Sequence, residues 1–65
     1  MSESIITEKA LALSLKQLMK TVPLSKISIK NIVANCKLNR QTFYYHFKDK
    51  FDLVNWIYYT EVTEC

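Results

Sequence analysis

Sixty-five residues, 49% of them apolar, suffice for one hydrophobic core and not for two, which excludes a multidomain chain and most enzymes. Glycine is absent and proline occurs once, so hairpins give way to helices joined by short connections, an all-α fold. A net charge of +3 conceals a basic centre between acidic ends, and no apolar run approaches the roughly 20 residues that span a bilayer.

From Ser4 to about Lys20, the residues Leu11, Leu15, Leu18 and Val22 recur at helical spacing and predict a first helix. Ile6, Ala10 and Leu13 form a second apolar stripe on it, so this helix is expected to pack on more than the rest of the domain. Pro23 ends it, because a proline pushes the preceding residue out of the α region. Ser28 stands as an N-cap before a short second helix with Ile29, Ile32, Val33 and Cys36 on one face. Lys37-Leu38 breaks the pattern, and Asn39 caps a third helix, Arg40 to Phe47, in which Phe43 and Phe47 point inward as an i, i+4 pair. Asp49 caps a fourth helix with Asp52 in its first turn, continued by Leu53, Trp56, Ile57 and Thr60. The chain is expected to stop inside or just after it. No repeat, low-complexity tract or linker interrupts these four helices. The break of about three residues between the two short ones is the spacing of a helix-turn-helix over residues 28–47.

Residues 16–50 hold Lys16, Lys20, Lys26, Lys30, Lys37, Arg40, Lys48 and Lys50 against Asp49 alone, a local charge of +7, whereas residues 1–15 sum to −1 and residues 51–65 to −3. Such a centre predicts an anionic partner, with double-stranded DNA the foremost reading. In a helix-turn-helix the second helix enters the major groove, where Arg40 suits guanine, Gln41 suits adenine, and Thr42 offers a hydroxyl and a methyl. Tyr44, Tyr45 and His46 add donors, Lys48 and Lys50 lie at the start of the next helix, and Ser28 and Lys30 make a further phosphate site. Paired carboxylates, a glycine-rich phosphate loop and a nucleophile–base set are all missing, so no catalysis is expected. His46 has no second ligand at helical spacing and Cys36 and Cys65 lie far apart, so no metal, cofactor or disulfide framework is expected. Nothing at the start resembles a signal peptide, which gives a cytoplasmic location as the expectation.

The run Ser28-Ile29-Lys30-Asn31-Ile32-Val33, the turn Cys36-Lys37-Leu38-Asn39 and, above all, Thr42-Phe43-Tyr44-Tyr45-His46-Phe47-Lys48-Asp49-Lys50 resemble the DNA-binding domain of the TetR/AcrR family of bacterial transcriptional regulators. Arg40 to Phe47 followed by Leu53-Val54-Asn55-Trp56-Ile57 is similar to its dihydroxyacetone-kinase-regulator-like branch. The resemblance implies a homeodomain-like three-helix domain plus the start of a fourth helix. It also implies base or phosphate contacts from Lys30, Arg40, Gln41, Thr42, Tyr44 and His46, a phosphate contact from Lys50, and inward packing of Phe43 and Phe47. Family members continue into a helical domain that dimerises and binds an effector. Residues 1–65 are therefore expected to be the DNA-binding part of a regulator, repressing by default, that meets a palindromic operator as a homodimer. Lys37 stands where the family usually has glycine and costs roughly 1 kcal/mol if its backbone is left-handed. The rival reading keeps the fold but uses the aromatic fourth helix, Trp56 to Tyr59, to bind a partner protein.

Overall fold

The computed structural model describes residues 3–63, with side chains over residues 5–61; Cys65 lies outside the described residues. The order is α1 (Glu3–Leu18), a 3-10 turn (Leu24–Lys26), α2 (Ile29–Asn35), α3 (Arg40–His46) and α4 (Lys50–Thr63). Among the described residues there is no strand, and no helix is long and apolar enough to cross a membrane.

Helix α1 packs on each of the other three helices, so one stripe is not enough for it: Leu11, Ala12, Ser14 and Leu15 are all buried. Ser14 makes this packing possible at its α2 side. Its hydroxyl donates to the Ile32 carbonyl at 2.7 Å, and Asn35 Nδ2 donates to Ser14 Oγ at 3.0 Å. A buried hydroxyl so satisfied avoids the desolvation cost of about 1–3 kcal/mol that an unpaired one incurs. The second stripe is in place, but Ile6 and Leu13 on it are exposed to solvent and Ala10 is half-buried.

Regular helix stops at Leu18, although Met19 N–H donates to the Leu15 carbonyl and Val22 N–H to that of Leu18. The end expected at about Lys20 thus falls within a frayed last turn. Beyond Pro23 the chain makes a 3-10 turn that the periodicity did not predict, and this turn delivers Ile27 into the core, 2% exposed.

Both short helices begin as their cap residues require. Ser28 Oγ accepts from the Asn31 amide, while Asn31 Oδ1 accepts from the Ser28 amide at 3.0 Å, a reciprocal capping box with asparagine in the usual Glu/Gln place. Asn39 Oδ1 accepts from the Thr42 amide at 2.7 Å. Between them, Leu38 N–H donates to the Val33 carbonyl and Lys37 N–H to that of Ala34, the Schellman pair of bonds, with Lys37 left-handed at φ 63°. A left-handed lysine costs about 1–2 kcal/mol, of which glycine's extra freedom in the unfolded chain would take back about 0.4–1 kcal/mol. Lys37→Gly is therefore expected to stabilise the domain by roughly 1 kcal/mol and to raise Tm by about 4–8 °C in a thermal melt; an unchanged or lowered Tm would show that the turn carries no such strain.

Asp49 precedes α4 and caps it, its Oδ1 accepting from the Asp52 amide at 2.8 Å, while Asp52 Oδ2 accepts from the Lys48 amide at 3.0 Å. Leu53 is fully buried and Trp56 meets Phe47 edge to face, ring centroids 6.0 Å apart. Lys16 of α1 pairs with Glu61 of α4. Leu11, Leu15, Ile27, Ile32, Val33, Phe43, Phe47 and Leu53 form one core, with Leu18, Ile29, Cys36, Leu38, Trp56 and Ile57 packed partly against it.

Candidate nucleic-acid interface

Phe43 and Phe47 anchor α3: both are buried, with ring centroids 5.7 Å apart. On a helix of 3.6 residues per turn, the side opposite this anchor carries Gln41, Tyr44 and Tyr45, with Arg40 at the helix start. All four are exposed, Tyr45 at 85% and Tyr44 at 57%. Two large tyrosines held out in water by a helix whose other face is fully buried form a surface suited to contact rather than to the core. Lys30 on α2 and Lys48 in the α3–α4 joint are exposed too, and Thr42 is half-buried.

Three of the expected contact residues have intramolecular work: for Ser28 it is the capping role its position predicts, and for His46 and Lys50 no local spacing reveals it. Ser28 Oγ donates its proton to Asn31 Oδ1 at 2.9 Å, so this hydroxyl serves the cap of α2. His46 turns toward α1, where its Nδ1 lies 3.4 Å from Glu8 Oε2 and only 11% of its side chain is exposed. Lys50 is half-buried, and its ammonium donates to the carbonyls of Leu24 and Ile27, both at 2.8 Å. The phosphate contact that the resemblance implied for Lys50 thus meets an ammonium already bound to backbone oxygens. The physical reason is proximity: α4 begins beside the carbonyl end of the 3-10 turn, where a cation is favoured.

The fourth helix also departs from the rival reading. Trp56 and Ile57 are half-buried against the core, and the exposed aromatics of α4 are Phe51, Tyr58 and Tyr59. Among the described residues no group of three or more His, Cys, Asp and Glu side chains could hold a metal ion. Cys36 is half-buried, its thiol donating to the Ile32 carbonyl at 3.4 Å.

A short exposed helix, capped at its start, anchored by two aromatics and braced by a second short helix across a tight turn, is a DNA-binding helix-turn-helix. Comparison with known proteins narrows the class. The family model described as "Bacterial regulatory proteins, tetR family" matches residues 14–57. The chain is 38% identical over 64 residues to the HTH-type dhaKLM operon transcriptional activator DhaS of Lactococcus lactis subsp. lactis (strain IL1403), covering 98% of this chain and 34% of that protein. The chain belongs to the tetR family of bacterial regulatory proteins, a family of DNA-binding transcription regulators and not of enzymes. It spans about a third of the length of the curated relative it matches.

Proposed function

We propose that this domain gives a transcriptional regulator its operator specificity by laying α3 in the major groove of double-stranded DNA. Arg40 pairs with the O6 and N7 edge of a guanine, Gln41 reads an adenine, and Thr42 meets a thymine methyl or a phosphate. Tyr44, Tyr45, Lys30 and Lys48 hold the backbone on either side and set the register. The observation that carries this reading is the exposed Gln41, Tyr44 and Tyr45, with Arg40 exposed at the helix start, on a helix fixed by Phe43 and Phe47. In a longer regulator, two such domains meet the half-sites of a palindrome as a homodimer. The relative's name favours activation as the sign of regulation over the family's repressing default.

Selection from a randomised duplex pool at low salt, followed by a salt titration of the winner, tests this directly. An enriched half-site is expected, with log K falling against log salt by about 0.9 for each phosphate contacted. No enrichment and no salt dependence from a chain that circular dichroism shows to be helical would remove the reading.

A further inference from the structure

The helix-turn-helix is tied at both ends, at one by covalent chain and at the other, besides the shared core, by the side chain of Lys50. At one end the Schellman turn through Lys37 and Leu38 joins α2 directly to α3. At the other, the start of α2 and the end of α3 lie far apart in sequence. Here the Lys50 ammonium, the first side chain of α4 and four residues past the end of α3, bonds the carbonyls of Leu24 and Ile27, the latter immediately before the Ser28 cap. Phe51 places its ring 5.4 Å from the same ammonium. We propose that Lys50 is a positioning residue: it closes this ring and thereby fixes Lys30 on α2 relative to the reading face of α3, rather than binding a phosphate itself.

Three physical points support this. Charge-assisted bonds at 2.8 Å are shorter and stronger than neutral ones, and half-burial strengthens them further. Two of the three ammonium protons are committed, so a phosphate would have to displace them or share the third. Lys48, two residues earlier and exposed, already supplies a cation to the same joint without giving up an internal bond.

The inference rests on the DNA-binding reading above, and the test separates the two. Lys50→Met keeps the apolar stem and removes the donors. In the DNA-free chain, this variant is expected to speed amide exchange at Ile27 and its neighbours by about tenfold, the effect of losing a charge-assisted bond. On duplex DNA, the losses from Lys50→Met and Lys30→Ala are expected to be less than additive, because a misplaced Lys30 has little left to lose. Unchanged exchange, or two losses that simply add while the unsubstituted chain binds DNA, would overturn the positioning role alone. Failure of the unsubstituted chain to bind any duplex would overturn the DNA reading and, with it, this functional role. If the Lys50→Met variant melts below the assay temperature, the ammonium resonance of Lys50 in the unsubstituted chain decides. Retention of its protected signal on addition of DNA supports the role, and its displacement by phosphate overturns it.

Discussion

Phe43→Ala is expected to leave most of the chain unfolded at 25 °C. Phe43 is the largest of the fully buried side chains, and it sits where α3 meets α1 and α2, in ring contact with Phe47 at 5.7 Å. Truncating a buried phenylalanine costs about 3–5 kcal/mol, from lost transfer energy and from the cavity left behind. A chain of 65 residues has roughly 3–10 kcal/mol of stability in all, so the loss is of the same size as the total. Far-UV circular dichroism through a thermal melt reads the effect, and a Tm lowered by less than about 5 °C would mean that the core closes over the gap. Tyr45→Ala, two residues away on the same helix but 85% exposed, is expected to change stability by no more than about 0.5 kcal/mol while weakening DNA binding. The contrast between these neighbours separates the role of the buried side of α3 from that of its exposed side.

Arg40→Ala is expected to produce the largest loss of sequence preference. A bidentate arginine–guanine pair is worth about 1–3 kcal/mol of discrimination, so affinity for the selected site should fall by about 5- to 150-fold. Affinity for random duplex should fall far less, since only one charge is removed. Lys48→Ala should do the opposite, weakening all sequences alike and reducing the salt slope by about one. Competition binding of each variant against selected and scrambled duplexes distinguishes them. An equal loss on both duplexes for Arg40→Ala would place Arg40 on the phosphate backbone.

Local chemistry was legible in the chain. Ser28 and Asn39 as caps, Asp49 with Asp52 and the Phe43–Phe47 pair follow from demands met within three to five residues, whereas strain at Lys37 is expected only through the glycine that the family usually has there. Asn31 could have been added to these, since it stands three residues after Ser28 in the capping-box place and does the work there of a glutamate or glutamine. The 3-10 turn before α2 carries no periodic signal because three residues are too few to show one, and so Ile27, a core residue, falls outside every predicted stripe.

What the amino-acid order determines by itself is therefore the set of helices, their caps, the inward face of α3 and the family, because each depends on residues close in sequence or on a contiguous motif. What only the tertiary structure decides is which polar side chains remain available for DNA. His46 meets Glu8 of α1, and Lys50 meets two carbonyls more than twenty residues before it. A carbonyl acceptor is the same in every residue, and a contact across the fold has no spacing, so neither partner is written in any local pattern. The packing of α1 and α4 around the helix-turn-helix brings these groups within bonding distance, and it thereby separates the polar side chains with partners inside the domain from those left exposed to solvent.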